Sequence, residues 1–359
     1  MKVAIAGAGI AGGYLARLLE QEGISPDVYD GMDHGTRCQC RSCGWGAPAG
    51  IGTYLAEIGL ELDRYLLTSM SSMNFDGLVA KTPLCTVDKP RLLRDLVQGL
   101  RLTRENLGHG RAEAYDVVVD ATGIARAFLP PCRSDLTLPT LQHRVVAEPK
   151  GDDRLGVGVY GNRIPGLGYL WIFPLGDHEY HIGIGGIGLV DPKSLLEEFY
   201  REMSGEFSFT TLCRCHGSVR VASPHYATPL YSQIPRIDGT SRLVVGIGES
   251  IGTVAPFTGE GIVYSMECAR MLADSWPDPE SYTRSVLARF GWMKKERETL
   301  EYLLSRKGEG GPRLRDRWRF FMNAHRSGIG LPMLEAFRRM GSLSRWVEGG
   351  ETGSAGRAK

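Results

Sequence analysis

Residues 2–30 read "KVAIAGAGIAGGYLARLLEQEGISPDVYD", and the fold turns on what this stretch can become. A short apolar run, Val3 to Ala6, leads into Gly7-x-Gly9-x-x-Gly12, after which Tyr14, Leu15, Leu18 and Leu19 recur at helical spacing. A second short run ends at Asp30, 18 residues after Gly12. Each glycine has a mechanical task in such a strand–turn–helix–strand unit. Gly7 makes the tight turn, Gly9 lets backbone approach a pyrophosphate, and Gly12 lets the helix pack close to the strand. The helix start, with Ile10 and Ala11, offers N–H groups and a positive dipole end to the anion. Asp30 stands where a carboxylate bonds ribose hydroxyls. The spacing therefore predicts a Rossmann-type dinucleotide-binding unit; its bland rival is a glycine-rich turn that holds no ligand.

Two later segments continue this pattern. "YDVVVDATG", residues 115–123, is a buried-type strand running into Gly123. "RLVVGIGESIGTVAPFTGEGIVYSMECARMLAD", residues 242–274, is another such strand. It passes Gly248 and Glu249, and its Pro256-x-x-Gly259-x-Gly261 loop then opens a helix at Ile262. Strand ends at 123 and 246 predict a split binding domain interrupted by an insertion. Between them, 154–162 and 179–187 read as alternating or glycine-broken strands of an antiparallel sheet. The expected fold class is α/β: a Rossmann-type domain, an inserted mainly antiparallel β-sheet substrate domain and a C-terminal helical region. The boundaries drawn on the sequence are 1–65, 88–130 and 240–290 for the nucleotide domain, and 66–87 with 131–239 for the insertion. Residues 291–348 are expected to form a helical cap and 349–359 a disordered tail.

Composition narrows the classes. The 359 residues suffice for one large or two ordinary domains. Lys+Arg 42 against Asp+Glu 41 leaves no global electrostatic case for nucleic acid. Glycine, 47 residues, is nearly twice as frequent as the roughly 7% of average usage, as close backbone approach to a ligand requires. No signal-peptide layout or spanning apolar run is evident, and the expected location is cytoplasmic. The eight cysteines are then expected to be thiols, ligands or catalytic groups rather than a disulfide framework. The eight histidines form no H-x-x-x-H pair, and no Gly-x-Ser-x-Gly elbow is present.

The order GAGIAG, Asp30, DATG and GIGES…APFTGEGI resembles the FAD-binding skeleton of the para-hydroxybenzoate-hydroxylase-like flavoproteins. Within that group the chain is most similar to the geranylgeranyl reductase family. "RSCGWG" (Arg41–Gly46) resembles that family's basic-x-Cys-Gly segment beside the flavin, and "PGLGYLWIFPLG" (165–176) its P-x-x-Y-x-W-x-F-P signature over the substrate cavity. The resemblance covers roughly residues 1–290. It departs at Pro165, four residues before Tyr169 rather than three, and at Glu249, where the family has Asp. The extra Cys38-x-Cys40 lies outside the family pattern. It implies FAD, held by Gly7, Gly9, Ile10, Ala11, Gly12, Asp30, Arg41, Cys43, Gly44, Gly123, Gly248, Glu249, Pro256, Gly259, Gly261 and Ile262. It also implies reduction of C=C bonds in a geranylgeranyl-type isoprenoid chain, with Cys43 as the catalytic candidate and Tyr169, Trp171 and Phe173 against the substrate.

On the residues themselves, Tyr169, Trp171 and Phe173 are spaced by two and project to one face of a strand. Such a face is either ordinary sheet core or the apolar wall a prenyl chain needs. Cys43 has two readings, a proton donor or a packing and positioning group. Cys38, Cys40 and Cys43 with Cys213 and Cys215 supply poor spacing for zinc or an iron–sulfur cluster, so no metal is expected. Two rival functions stay open: a flavin monooxygenase on the same scaffold, and a thiol-linked redox or electron-relay flavoprotein working through Cys38, Cys40 and Cys43. No second nucleotide fingerprint is evident, which leaves NAD(P)H or ferredoxin as the electron donor. Residues 280–306 read as one helix. Residues 313–346 then carry eight arginines against two acids, interleaved with aromatics. That segment is either a cap with a solvated basic face or a peripheral membrane contact.

Overall fold

The computed structural model describes residues 1–32, 43–152, 154–189, 191–305, 314–326 and 329–330. Cys38, Cys40, Arg41 and the 349–359 tail lie outside the described residues. The chain begins β1 (Val3–Ala6), α1 (Ile10–Gln21) and β2 (Asp27–Tyr29), then β3 (Gly46–Pro48) and α2 (Ile51–Glu57). A hairpin of β4 (Leu66–Phe75) and β5 (Leu78–Val87) precedes α3 (Lys89–Val97), β6 (Arg101–Thr103), α4 (His109–Ala112) and β7 (Val117–Asp120). Next come β8 (Thr137–Pro149), β9 (Gly158–Tyr160), β10 (Leu167–Gly176), β11 (Glu179–Ile187), α5 (Pro192–Met203) and β12 (Phe207–Arg220). The chain returns through β13 (Tyr231–Pro235) and β14 (Ser241–Gly246) to α6 (Ile262–Asp274), α7 (Pro279–Arg289), α8 (Gly291–Ser305) and α9 (Leu314–Arg326).

These elements build two sheets. One has strand order β13-β14-β7-β1-β2-β6, parallel except for the edge strand β13. All four residues of β1 and of β7 are buried, as a parallel strand covered on both faces requires. The other has order β12-β8-β11-β10-β9-β4-β5-β3 and is antiparallel apart from the β4–β9 pair. Three helices start with the same device: Asp88, Asp191 and Asp278 each accept backbone N–H bonds from the first turn, with proline at its first or second position.

Gly7 and Gly12 show why the opening stretch folds as it does. Gly7 has φ +101°, outside the range of an ordinary side chain. A Cβ on Gly12 would lie 1.9 Å from the Gly7 carbonyl oxygen, so α1 can sit on its turn only through glycine. The main core then forms between α1, α3, α6 and the first sheet, around Tyr14, Leu15, Leu96, Tyr282 and Phe290.

Several boundaries drawn on the sequence move. β3, within 1–65, pairs with β5 in the second sheet. β13, within 131–239, pairs with β14, because the turn around Gly239 folds the two into a hairpin. The helix expected over 280–306 is two helices, broken where Phe290 turns into the core ahead of Gly291. The strand expected over 154–162 is confined to Gly158–Tyr160.

Candidate functional site

The carboxyl ends of the parallel strands and one face of the second sheet enclose a cavity of 1210 Å³. That exceeds the roughly 300–1,000 Å³ of an ordinary ligand pocket, leaving room for a dinucleotide and a second molecule. Its nucleotide end is built by the first sheet. Gly7, Gly9, Ile10, Ala11 and Asp30 line it from the β1–α1 turn and the end of β2. Gly123 joins from the end of β7, with Glu249, Pro256, Gly259, Gly261 and Ile262 from the β14–α6 connection. Cys43 and Gly44 line it from the second sheet's margin. Gly12 and Gly248 do not. Gly12 seats α1 on its turn, and a Cβ on Gly248 would meet Ala11 at 2.8 Å, so Gly248 brings the second loop against α1.

The cradle passes a direct test of fit to a dinucleotide. A Cβ on Gly9 would meet nothing within 4 Å, so the turn faces open space. Neither α1 nor α6 carries a side-chain cap, and neither has an acid in its first turn. Two helix starts thus present their N–H groups and positive ends to the cavity, the arrangement a pyrophosphate fits. Asp30 is buried, and its two carboxylate oxygens accept the Ala8 and Met32 N–H groups, each at 2.8 Å. The carboxylate expected to meet a ribose therefore also shapes the glycine turn.

The second sheet supplies the other wall. Leu170 and Ile172 of β10 pack under α5 with Leu196 and Phe199, while Tyr169, Trp171 and Phe173 line the cavity on the opposite face. Glycines make this possible. A Cβ on Gly183 of β11 would lie 2.3 Å from the Trp171 ring, and one on Gly44 would lie 2.5 Å from the Phe173 ring. The Tyr169 hydroxyl donates to the Thr258 carbonyl, and burial pushes its pKa up. That bond ties the aromatic strand to the Pro256–Gly261 loop.

Several site residues gave no signal in the sequence. Gln142 of β8, almost wholly buried, accepts the Trp171 indole N–H at 3.1 Å and donates to the Cys43 carbonyl at 3.2 Å. Lys89, at the start of α3, places its ammonium 3.3 Å from the Cys43 sulfur. His181, buried against the Trp45 ring, has its pKa pushed down to about 3 by desolvation, so it stays neutral at working pH. Arg220, at the end of β12, donates to the carbonyls of Gly123, Ile124 and Glu249 and pairs with Asp135. It locks the two nucleotide loops to the second sheet.

The cysteines are redistributed. Cys213 is disulfide-bonded, not the free thiol expected; its sulfur lies 3.4 Å from that of Cys215 on β12, and Cys43 packs with both around Trp45 and Leu175. Among the described residues, no group of three His, Cys, Asp or Glu is arranged to hold a metal ion. No described helix is long and apolar enough to cross a membrane.

No protein-family model matches the chain. It is 25% identical to digeranylgeranylglycerophospholipid reductase 1 of Methanopyrus kandleri, over 81% of this chain and 77% of that protein. It is 30% identical to digeranylgeranylglycerophospholipid reductase 2 of Methanothermobacter thermautotrophicus, over 40% of this chain but only 35% of that one. Among solved structures, a geranylgeranyl bacteriochlorophyll reductase-like protein of Thermoplasma acidophilum superposes with a TM-score of 0.64 at 17% identity, covering 83% of this chain and 87% of the other. A flavin-dependent brominase shares the fold at a TM-score of 0.61 and 13% identity, over 95% and 93% of the two chains. With a two-helix nucleotide cradle facing a Tyr-x-Trp-x-Phe-Pro wall, the chain shares the fold of these flavoproteins and is similar in sequence to digeranylgeranylglycerophospholipid reductases.

Proposed function

We propose that the protein reduces C=C bonds of a geranylgeranyl-type isoprenoid chain. The observation that carries this reading is the continuity of one cavity from the nucleotide cradle to the Tyr169, Trp171 and Phe173 wall. A prenyl chain offers no hydrogen bonds, so an apolar wall with few polar groups suits it. Bound in the cradle, reduced FAD supplies the hydride. Cys43 and Gly44 line the cavity at the second sheet's margin, Gln142 fixes the Cys43 backbone against Trp171, and Lys89 sets the charge beside the Cys43 sulfur.

The test is anaerobic. Dithionite-reduced protein mixed with geranylgeranyl-type lipids is expected to reoxidise its flavin and release product heavier by one H₂ per bond reduced. No reoxidation by any prenyl lipid, with flavin bound and reducible, would sink the reading. A monooxygenase on this scaffold would instead need oxygen and yield a hydroxylated product.

The same reading extends to a membrane contact through residues 313–346. Leu314, Trp318 and Met322 of α9, spaced by four, are all exposed, and they share a segment with eight arginines. An apolar stripe among basic residues suits an anionic lipid surface. Arg317 and Asn323 of the same helix line the cavity, so lipid would reach it beside α9. Co-sedimentation with anionic but not with neutral vesicles is expected, weakened several-fold by Trp318→Ser; equal binding of both vesicle types would contradict the contact.

A further inference from the structure

The loop that closes the cradle carries an acid that neither cofactor binding nor the aromatic wall accounts for. Glu260 lines the cavity, yet its Oε1 is buried and has no hydrogen-bond partner. The Tyr264 hydroxyl bonds its side chain, and among the described residues no lysine or arginine pairs with it. An ionised carboxylate held this way is costly, because a single tyrosine hydrogen bond repays only part of its lost hydration. Protonation is the cheaper solution. Its backbone is fixed at the same time: the Glu260 carbonyl accepts the Ala255 N–H at 2.8 Å, and the Glu260 N–H donates to the Thr258 hydroxyl at 3.4 Å. Thr258 is the residue whose carbonyl takes the Tyr169 hydroxyl. Glu260 therefore stands at the junction of the nucleotide cradle and the aromatic wall.

We propose that Glu260 is the catalytic acid of the ene reduction, handing its carboxyl proton to the alkene carbon that does not receive the hydride. This rests on the isoprenoid-reductase reading above. The step balances: the C=C π bond is lost, and two C–H bonds form, one from the hydride of the reduced flavin and one from the Glu260 proton. The flavin ends oxidised and Glu260 ends as a carboxylate, which regains its proton from water. Tyr169 is a poorer donor, since its hydroxyl proton already serves the Thr258 carbonyl.

The charge setting agrees. Burial is the main cause that raises the Glu260 pKa to about 8; the Glu267 charge raises it further and the Tyr264 bond opposes. Glu267 is itself paired with Arg289. Tyr169 of β10, Glu296 of α8 and Arg317 of α9 also line the cavity; the Glu296 carboxylate takes the Phe257 N–H of the loop and the Asn323 amide. A raised carboxyl pKa means the acid is loaded below about 8 and spent above it.

The experiment compares flavin-loaded wild type with Glu260→Gln, by two readouts. The first is an infrared pH-difference spectrum without substrate. Wild type is expected to show a protonated-carboxyl band, absent from the variant, that fades as pH rises through about 8. The second is anaerobic single-turnover reoxidation by a geranylgeranyl-type lipid. The variant should keep its flavin and its lipid affinity but reoxidise about 100-fold more slowly. The wild-type decline in rate above pH about 8 should be missing from it.

Reoxidation within about threefold of wild type would overturn the proposal while leaving the reductase reading intact. Loss of flavin from Glu260→Gln would also overturn it, by assigning the carboxyl to cofactor retention. So would a missing neutral-pH band, or loss of the proton step in Cys43→Ala instead. Wild type inert toward every prenyl lipid would remove the functional reading, and this proposal with it.

Discussion

Gly12→Ala is expected to yield a chain that loses its flavin and more than ~2 kcal/mol of stability. The reason is positional. The added methyl would sit 1.9 Å from the Gly7 carbonyl oxygen and 3.0 Å from the Ala121 Cβ. The first neighbour is backbone, and no rotamer change relieves the clash. Either α1 shifts off its turn or the turn opens. Both outcomes move the uncapped helix start away from the place where a pyrophosphate fits, and both disturb the packing of Tyr14 and Leu15. Urea unfolding and the flavin absorbance retained after gel filtration measure the two losses. An alanine variant that keeps its flavin and its unfolding midpoint would show that Gly12 is not what seats the helix. Gly9→Ala is the informative contrast. Nothing lies within 4 Å of its Cβ, so it should fold normally and weaken only the cofactor.

Arg220→Ala should cost about 3 kcal/mol and loosen both nucleotide loops together. Arg220 is buried, while its partner Asp135 is 39% exposed. Water already screens that carboxylate, so the ion pair is the smaller part of the loss. The larger part is the Ile124 carbonyl, left without its donor, together with the second donor lost by the Gly123 and Glu249 carbonyls, which keep the Arg126 and Gly252 N–H groups. An orphaned carbonyl costs roughly 1–3 kcal/mol, less where water enters, and each lost bond from a charged donor adds to it. Arg220→Lys keeps the charge but lacks the planar fork that reaches three acceptors, so it should recover only part of the stability. The distinguishing readout is hydrogen exchange. Both loops, more than 100 residues apart in sequence, should lose protection in parallel. Loosening of only one would mean that Arg220 braces that loop alone.

The sequence made the local devices legible and hid the tertiary ones. Gly7-x-Gly9-x-x-Gly12 and Asp30 act within 24 residues of one another, and their spacing alone carries the strand–turn–helix–strand unit. Tyr169, Trp171 and Phe173 could be placed on one face because the strand period is two. What could not be read is whatever joins distant segments. Gln142 meets Cys43 across 99 residues, and Arg220 meets Gly123 across 97. Neither sits in a pattern that marks it. Gln142 is one polar residue at an inward position of a long strand, and Arg220 is one strand-end cation among many arginines. Glu260 was hidden by its own motif. It stands at the x between Gly259 and Gly261, a position that the motif's spacing leaves unread, and only its buried, unpartnered Oε1 sets it apart in the fold. Boundaries slipped for a related reason: β3 and β13 are short edge strands, and pairing rather than composition decides which sheet they join.

The strand order of the first sheet also sets a timetable for the growing chain. β7 lies between β1 and β14, and its register with β14 runs from Val117↔Leu243 to Asp120↔Gly246. A ribosome delivers β1 and β7 early, then most of the second sheet, and only afterwards the strand and loop that complete the cradle. For that interval the nascent protein carries half a cofactor site and an unpaired edge on β7. The flavin is thus captured late, by a nearly finished chain. A protein interrupted before residue 240 would hold the whole Gly7–Gly12 turn and retain no flavin.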